Sequence, residues 1–309
     1  MAILLTLGRS YATPYRDAFA AIDPTLDVRA WPEIGEASDI ECLVTWQVRD
    51  DVCSRLPNLK LIASAGAGVD GILRAVDLPT HVPIMRIVDA HLTAGMTQYV
   101  LAVTLRHLRE LPRFEAQQRQ GVWKREHVFD QRQVTIGVMG FGALGQDVGR
   151  AFAALQFPVV AWSRRAHPQP GIRSFAGSDD FERFLRASNV LICLLPLTPD
   201  TRGILNRATL EQLPRGAYVV NAARGGHLID DDLIALLDAG HLAGAALDVF
   251  HDEPLPAGHP FWRHPKIFLT PHVAADPDPV RGARAILENL ERVRQGLAPL
   301  HAVDRTARY

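Results

Sequence analysis

Short hydrophobic segments alternate with amphipathic helical patterns along most of the chain. Several segments, such as residues 190–195, are hydrophobic throughout instead of at every second position, as expected for strands that are buried on both faces of a sheet. The alternation of strand and helix predicts the α/β class, with parallel, doubly wound sheets covered by helices. The predicted strands are 3–7, 42–44, 61–64, 134–139, 159–162, 190–195, 217–221, 245–249 and 267–269, and the clearest predicted helices are 141–155, 179–186 and 230–239.

The predicted strands fall into two groups, which indicates two domains. A long helical pattern, roughly 93–119, follows the first group, and its leucines recur at helical spacing between Leu101 and Leu111. The irregular stretch 121–133 comes next and would suit a connection between domains. A final helical pattern at 279–295 follows the last strand, and its sequence alone does not indicate which domain it joins.

Composition and charge are those of an ordinary globular protein. Hydrophobic residues make up 48% of the 309 residues, and the formal net charge of -1 provides no field that would attract nucleic acid or an anionic membrane. No apolar run approaches the ~20 residues that span a bilayer, and the first residues lack the basic region of a secretory signal. Cys42, Cys53 and Cys193 are far apart and fit neither a disulfide framework nor a zinc site. We therefore expect a cytoplasmic protein that holds no metal and binds neither nucleic acid nor membranes.

The sharpest local signal is a glycine-rich motif between a predicted strand and a predicted helix. It reads Gly140-Phe-Gly142-Ala-Leu-Gly145 and follows the strand 134–139. In this context the first glycine permits a tight turn, the second lets the backbone approach a pyrophosphate, and the third allows the helix to pack closely on the strand. The N-terminus of the helix offers free N–H groups and partial positive charge to the pyrophosphate. The motif therefore predicts a dinucleotide-binding site.

The end of the following strand indicates which dinucleotide is bound. An NAD site usually places Asp or Glu about 20 residues after the turn, where it bonds the ribose 2′-hydroxyl. Here the strand 159–162 is followed by Ser163, Arg164 and Arg165, and no carboxylate appears before Asp179. A hydroxyl and two guanidinium groups suit a 2′-phosphate, so the sequence favours NADP, with NADPH preferred over NADH. The alternative is an ordinary solvated basic loop.

Three residues able to do chemistry follow predicted strands in the last third of the chain. Arg224 follows 217–221, Glu253 follows 245–249, and His272 follows 267–269. The carboxyl ends of parallel strands meet at one edge of a sheet, where ligands bind, so the three side chains are expected to converge there. An arginine can bond both the carboxylate and the carbonyl of a 2-keto acid, a histidine can donate the proton, and a glutamate can orient the imidazole and favour its protonated form. Taken singly, each of the three also suits an ordinary surface residue.

These motifs resemble the D-isomer-specific 2-hydroxyacid dehydrogenase family over nearly the whole chain. The resemblance lies in the order and spacing of Gly140–Gly145, Asn221-Ala-Ala-Arg-Gly-Gly226, Leu247-Asp-Val-Phe250 with Glu253-Pro254, Thr270-Pro-His272 and the N-terminal Ala63-Ser-Ala-Gly-Ala-Gly-Val-Asp70. Four further segments look most like the NADP-dependent glyoxylate/hydroxypyruvate reductase branch: Trp46-Gln47, Met96-Thr-Gln-Tyr99, Trp162-Ser-Arg-Arg165 and Asp304-Arg-Thr-Ala-Arg-Tyr309. Gln98 departs from many relatives, which have Glu, and nothing is inferred from it.

The resemblance implies two Rossmann-like domains with a cleft between them, a homodimer, and reduction of small 2-keto acids such as glyoxylate and hydroxypyruvate. Residues 1–96 and 279–309 would form the substrate domain, and 97–278 the inserted dinucleotide-binding domain. Arg224 would orient the substrate and Glu253 would support His272 as the acid–base group. Backbone N–H groups of Ala67 and Gly68 would hold the substrate carboxylate, beside Trp46. The cofactor would be lined by Gly140, Gly142, Ala143, Leu144, Gly145, Ser163, Arg164, Arg165, Leu195, Pro196, Thr201, Ala222 and Asp248.

Two alternatives remain open at this stage. A nucleotide-sensing, non-enzymatic binding protein on the same fold would not need Arg224, Glu253 and His272, all of which are present. A dehydrogenase for another 2-hydroxy acid would keep all three. The polar residues Lys124, Arg125 and His127 suit a solvated loop and receive no role.

Overall fold

The computed structural model of the chain describes residues 1–49, 51–125 and 130–306. The chain divides into two compact units, one formed by Met1–Leu92 with Asp276–Tyr309 and the other by Thr93–Ala275. The described parts of the stretch 121–133, residues 121–125 and 130–133, fall within the second unit. His127 and the last three residues of the 304–309 motif lie outside the described residues.

The first unit is built on a five-stranded sheet in which every pairing is parallel. The strand order is β2-β1-β3-β4-β5. Its strands are β1 Ala2–Leu5, β2 Asp27–Ala30, β3 Ile40–Thr45, β4 Leu61–Ser64 and β5 Ile84–Met85, and its helices are α1 Arg9–Ile22, α2 Asp70–Leu73 and α9 Pro279–Arg294, with 3-10 turns at Ala37–Asp39 and Cys53–Arg55.

The C-terminal helix α9 belongs to this first unit, a point that its sequence did not decide. It packs against α1 at a close crossing. A Cβ atom on Gly282 would lie 2.5 Å from the hydroxyl of Tyr15, so the two helices could not approach this closely with a larger residue at that position.

The second unit contains a seven-stranded sheet, again parallel throughout. The strand order is β12-β11-β10-β9-β6-β7-β8. Its strands are β6 Ile136–Met139, β7 Val159–Ser163, β8 Ile172–Ala176, β9 Val190–Cys193, β10 Ala217–Asn221, β11 Leu242–Leu247 and β12 Ile267–Leu269. The helices are α3 Ala90–Leu108, which begins at the end of the first unit, α4 Leu111–Arg119, α5 Ala143–Ala154, α6 Phe181–Ala187, α7 Arg207–Leu210 and α8 Asp230–Asp238, with 3-10 turns at Gln131–Gln133, Gly225–His227 and Pro260–Arg263.

Both faces of the second sheet are covered, which explains the continuous hydrophobic runs. In β9, Val190 and Ile192 pack into one hydrophobic cluster, whereas Leu191 and Cys193 pack into the other. Each residue of such a strand must therefore be apolar, and the prediction of parallel, doubly wound sheets is confirmed.

The order of the strands marks the place where ligands bind in such sheets. In the second unit the order reverses between the neighbours β6 and β9, and in the first unit it reverses between β1 and β3. Loops that leave the carboxyl ends of strands on either side of such a reversal diverge and leave a crevice. The glycine-rich turn follows β6, and Trp46 follows β3, so both lie at these positions.

Three strands escaped the sequence prediction, and one predicted helix is two. Strands β2, β5 and β8 are short or partly exposed, so they lack the continuous hydrophobic run used to find the others. The prediction of a single helix over 93–119 is wrong. The chain forms two helices there, because Glu110 adopts a left-handed conformation (φ 53°) and a proline lies at the start of α4. Among the described residues, no helix is long and apolar enough to cross a membrane.

Candidate active site

The glycine-rich turn is as tight as the motif predicts. Gly140 has φ +101°, and a Cβ atom there would lie 2.7 Å from the carbonyl carbon of Leu194. A Cβ atom on Gly145 would lie 2.0 Å from the carbonyl oxygen of Gly140. Both positions therefore require glycine, the first for its backbone conformation and the second for the packing of α5 against the turn.

Gly142 differs from the other two glycines because the space beside it is open. No heavy atom of the described residues lies within 4 Å of a Cβ atom built on Gly142, and Gly142 and Ala143 are exposed. Gly142 immediately precedes α5, so the N–H groups of the first turn of the helix, at Ala143 and Leu144, have no acceptor within the helix. The turn therefore offers an anion backbone donors and the positive end of a helix dipole, and it fits the pyrophosphate of a dinucleotide.

The basic segment after β7, Ser163–Arg165, is largely exposed, and a hydrogen bond within the segment holds its backbone in a turn. The hydroxyl of Ser163 donates a 2.6 Å hydrogen bond to the carbonyl oxygen of Arg165. Arg164 and Arg165 are exposed at the carboxyl edge of the sheet. Because β8 pairs with β7, the loop after β8 also reaches this edge, and the N–H of Gly177 donates to the carbonyl of Ser163 at 3.1 Å.

The loop after β9 is closed by a threonine. Thr201 Oγ1 donates to the carbonyl oxygen of Pro196 at 2.7 Å and accepts from the N–H of Thr198 at 2.8 Å. Leu195 is buried and Pro196 is exposed at the start of this loop. The loop 196–201 therefore has a defined shape beside the glycine-rich turn, since Leu194 contacts Gly140.

Arg224 lies on a turn pressed against the loop that carries Glu253. The turn begins after β10, beyond the buried Ala222, and Arg224 Nη1 donates to the carbonyl oxygen of Ala223 at 2.7 Å. A Cβ atom on Gly225 would lie only 1.9 Å from the carbonyl carbon of Phe250. Glycine is therefore required here for Arg224 and Glu253 to share this edge of the sheet.

His272 and Glu253 form a direct pair at the same edge. His272 Nδ1 lies 2.7 Å from Glu253 Oε2, and the other carboxylate oxygen, Oε1, accepts from the N–H of Phe250 at 2.9 Å. The side chains remain 46% and 36% exposed, so the imidazole can reach a ligand. Burial favours the neutral form of Glu253, but the hydrogen bonds from His272 and Phe250 and the charge of Arg224 outweigh it and lower the pKa of this carboxyl group.

The backbone of His272 is held in an unusual conformation by Asp248. His272 has φ 55°, and its N–H donates to the carbonyl oxygen of Asp248 at 2.8 Å. The buried Asp248 carboxylate accepts from Thr270 Oγ1 (2.6 Å) and from the N–H groups of Val273 (2.9 Å) and Ala274 (2.9 Å). Burial raises the pKa of Asp248, and these hydrogen bonds oppose the rise. Asp248, which the family resemblance places beside the nicotinamide amide, thus also shapes the histidine loop, a role that sequence reasoning missed.

The predicted substrate residues of the first unit also cluster together. Trp46 follows β3, and its Nε1 lies 3.1 Å from a Cβ atom built on Gly66, in the loop that contains Ala67 and Gly68. Ser64 Oγ donates to the carbonyl oxygen of Gly68 at 2.7 Å. The loop is therefore fixed in a compact turn beneath the indole.

A second aromatic residue supports the indole. Tyr11, near the start of α1, packs edge-on against Trp46 with ring centroids 4.5 Å apart. Its hydroxyl donates to Asp276 Oδ1 at 3.3 Å. The orientation of Trp46 is thus set by contacts within its own unit.

Comparisons with known proteins agree with this arrangement. The family model described as D-isomer specific 2-hydroxyacid dehydrogenase, NAD binding domain, matches residues 101–274. The proteins named glyoxylate/hydroxypyruvate reductase A from Yersinia enterocolitica and Photorhabdus laumondii are 37% and 39% identical to this chain over 286 residues, which is 91% of each chain in both alignments.

Solved structures show the same likeness over the full length. A D-isomer specific 2-hydroxyacid dehydrogenase from Xanthobacter autotrophicus, in complex with NADPH and MES, is 36% identical and superposes with a TM-score of 0.94, covering 100% of this chain and 99% of that one. An NADPH-dependent glyoxylate/hydroxypyruvate reductase from Sinorhizobium meliloti, in complex with NADP and sulfate, is also 36% identical, with a TM-score of 0.93 and 100% coverage of both chains. The glycine-rich turn, the Arg224 turn and the His272–Glu253 pair therefore lie in a chain that belongs to the D-isomer specific 2-hydroxyacid dehydrogenase family.

Proposed function

We propose that this protein reduces small 2-keto acids, glyoxylate and hydroxypyruvate above all, to 2-hydroxy acids with NADPH. The observation that carries the proposal is the 2.7 Å His272–Glu253 pair beside the Arg224 turn, at the same sheet edge as the phosphate-binding turn. A protein that only senses a nucleotide has no need for a paired acid–base group at this edge. The reductase names of the relatives support the choice of substrate.

In the proposed mechanism, the residues of the chain bind the acid and supply the proton. When bound, the nicotinamide supplies the hydride that is added to the carbonyl carbon. Arg224 orients the substrate through its planar guanidinium, which offers five N–H donors to the carboxylate and carbonyl oxygens. Because Nδ1 of His272 faces Glu253, Nε2 is the nitrogen that presents the proton to the carbonyl oxygen as negative charge develops there.

Glu253 acts through His272 and not on the substrate. Its lowered pKa keeps the carboxylate ionised at neutral pH, and its hydrogen bond with Nδ1 holds the imidazole ring in place. After each turnover His272 regains a proton from solvent, to which its side chain is 46% exposed.

The cofactor residues are proposed on the fit of the turn and on the solved relatives. Gly140, Gly142, Ala143, Leu144 and Gly145 would hold the pyrophosphate, for which the open space at Gly142 leaves room. Ser163, Arg164 and Arg165 would bind the 2′-phosphate, because guanidinium groups bond phosphate oxygens well. NADPH and NADP in the two solved relatives support this choice. The remaining lining residues would be Leu195, Pro196, Thr201, Ala222 and Asp248.

The first unit would bind the acid. N–H groups of Ala67 and Gly68 would hold its carboxylate, and Trp46 would limit the size of its side chain. This assigns the substrate domain to the first unit, predicted as 1–96 with 279–309, and the dinucleotide-binding domain to the second, predicted as 97–278. The MES and the sulfate bound by the two solved relatives carry anionic groups, as a 2-keto acid does.

We also propose a homodimer that uses the exposed apolar side chains in and after α4. Leu111, Phe114, Val122 and Trp123 are 46%, 38%, 45% and 98% exposed, an unusual density of large apolar groups for a surface segment. Light scattering tests the proposal. Phe114→Asp combined with Trp123→Asp should yield monomers, whereas Trp262→Asp, at an exposed tryptophan elsewhere, should leave the dimer intact.

The substrate proposal is tested with a panel of 2-keto acids by following the absorbance of NADPH. Glyoxylate and hydroxypyruvate should give the highest kcat/KM, and branched keto acids should be poor substrates. A Trp46→Ala variant should gain activity toward the branched acids. If branched acids are already preferred by the unaltered protein, the proposed size limit is wrong.

A further inference from the structure

His227 is a buried histidine that sequence reasoning did not select. It ends the 3-10 turn Gly225–His227, and its side chain is fully buried. Its Nδ1 lies 3.1 Å from the carbonyl oxygen of Arg224, and its Nε2 lies 3.3 Å from the carbonyl oxygen of Pro196. One imidazole therefore spans two loops that the proposed function uses, the substrate arginine turn and the loop 196–201 that lines the cofactor.

Both carbonyl groups are held by other donors as well. The carbonyl oxygen of Arg224 also accepts from Asn221 Nδ2 at 3.0 Å and from the N–H of His227 at 3.2 Å. The carbonyl oxygen of Pro196 also accepts from Thr201 Oγ1 at 2.7 Å. The imidazole thus joins two loops that are already ordered, and it fixes the distance between them.

The backbone of the two segments is joined on the same side. The N–H of Gly203 donates to the carbonyl of Gly226 at 2.9 Å, and the N–H of Leu205 donates to the carbonyl of His227 at 2.8 Å. A Cβ atom on Gly226 would lie 3.0 Å from Leu197 Cδ2. A displacement of the loop after β9 is therefore transmitted to the turn after β10 with little room for relaxation.

We propose that His227 is a positioning residue that couples the cofactor loop to Arg224, so that cofactor binding and binding of the keto acid strengthen each other. The inference rests on the proposed function. A neutral imidazole carries one N–H, so one of these two contacts is a hydrogen bond and the other is a close approach. The contact of Nε2 with Pro196 follows the position of the cofactor loop, and the contact of Nδ1 with the carbonyl group of Arg224 transmits a displacement to the arginine turn. Such coupling is reciprocal, so the acid must tighten cofactor binding by the same factor as the cofactor tightens binding of the acid.

The two halves of this bridge can be separated by substitution. The amide nitrogen of Asn is as many bonds from Cα as Nδ1 of His, and that of Gln as many as Nε2. His227→Asn therefore keeps a polar nitrogen next to the carbonyl of Arg224 and loses the contact with Pro196, whereas His227→Gln does the reverse. His227→Leu removes both. His241→Leu is the matched control, because His241 Nε2 bonds the carbonyl oxygen of Leu210 at 3.1 Å, outside both site loops.

The experiment measures the Kd of NADPH by fluorescence, with and without oxalate, a non-reducible analogue of glyoxylate. The ratio of the two Kd values is the coupling factor, expected to be about fivefold or more in the unaltered protein and in His241→Leu. It should fall toward one in all three His227 variants. The glyoxylate KM measured with saturating NADPH should rise in each variant by about the factor that the coupling loses, because the acid gains less from bound cofactor. A purely structural role would lower the free energy of unfolding in both leucine variants and leave the coupling intact.

The outcomes separate the inference from the function on which it rests. A coupling factor that is unchanged in His227→Asn or His227→Gln overturns the inference, even if His227→Leu does not fold. A coupling factor of one in the unaltered protein, with normal turnover, overturns the inference and leaves the proposed function standing. Failure of the unaltered protein to bind NADPH or to reduce any keto acid would contradict both the proposed function and the inference about His227.

Discussion

His272 Nδ1 and Glu253 Oε2 lie 2.7 Å apart, although 19 residues separate them in the chain. Each follows a different strand of the second sheet, and the parallel pairing of β11 with β12 brings the two loops side by side. The pair is further fixed at both ends, by the N–H of Phe250 on the carboxylate and by Asp248 on the histidine backbone. This relationship leads to the first two predictions.

His272→Ala should lower kcat by about 10²–10⁴-fold, because a general acid typically contributes that much. Cofactor affinity should change little, since the imidazole is assigned to the substrate. Steady-state kinetics and a fluorescence measurement of the NADPH Kd separate the two effects. His167→Ala, at an exposed histidine, is the control and should behave like the unaltered protein. Turnover near the original value in His272→Ala would remove the assignment of the proton donor.

Glu253→Gln should lower kcat, because the neutral amide removes the negative charge opposite the imidazole. The hydrogen bonds that lower the pKa of Glu253 keep it ionised down to below the usual range of a carboxyl group, so the negative charge is present throughout the neutral range. The ratio of the two kcat values should therefore stay constant across the neutral range and approach one only at acidic pH, where Glu253 itself is protonated. The measurement is kcat against pH for both proteins. Equal kcat values at neutral pH would mean that the charge of Glu253 does not support His272.

Gly225→Ala should inactivate the enzyme through its geometry. The added Cβ atom would lie 1.9 Å from the carbonyl carbon of Phe250, so the Arg224 turn and the Glu253 loop must separate. Displacements of about 1 Å at a catalytic site can cost about 10²-fold in rate. Gly258→Ala is the control, because no described heavy atom lies within 4 Å of a Cβ atom built there. Full activity of Gly225→Ala would show that the two loops need not be in contact.

Arg164→Ala combined with Arg165→Ala should raise the KM for NADPH by about tenfold or more and barely change the KM for NADH. Charge-assisted hydrogen bonds to the 2′-phosphate would be lost, and NADH never makes them. Added salt should weaken binding of NADPH more than binding of NADH, because exposed charges are screened. Arg186→Ala, on α6, is the control. A double variant that still prefers NADPH would indicate that the basic segment is an ordinary solvated loop.

The stability of the second unit should depend on pH through His107, away from the site. His107 stacks on Tyr218 with ring centroids 3.8 Å apart, and burial lowers its pKa from 6.5 to about 4. The unfolded chain therefore takes up the proton first, so stability is highest above pH 6.5 and falls as the pH drops toward 4, by about 3 kcal/mol in total from this group. In His107→Phe this part of the decline should disappear, as measured by urea unfolding at several pH values. An identical decline in both proteins would assign it to other groups.

The fold was predictable wherever strands are buried on both faces. Runs such as the one at β9 must be apolar at every position, because alternate residues enter different clusters. Edge and short strands carry no such signal: β2 reads Asp-Val-Arg-Ala and is partly exposed, and β5 has two residues. The break between α3 and α4 depends on the conformation of Glu110, which a periodic pattern of leucines does not reveal.

The sequence predicted which loops form the site, but not most of the hydrogen bonds between those loops. Arg224, Glu253 and His272 each follow a buried strand, and the rule for parallel sheets places them at one edge. The chain does not reveal that Asp248 bonds the histidine loop or that His227 reaches Pro196, because Thr270 is 22 residues from Asp248 and Pro196 is 31 residues from His227 along the chain. The only hint of His227 in the sequence is its position two residues after Arg224-Gly225, and this position does not indicate what the imidazole contacts.

The central claim is that the chain reduces small 2-keto acids with NADPH, and the most direct test is the kcat/KM for glyoxylate with NADPH and with NADH. We expect NADPH to be oxidised in a one-to-one ratio with the 2-hydroxy acid formed, with a kcat/KM at least about tenfold above that with NADH. Tight binding of NADPH without its oxidation by glyoxylate, hydroxypyruvate or any other small 2-keto acid would contradict the account and identify a nucleotide-binding protein instead.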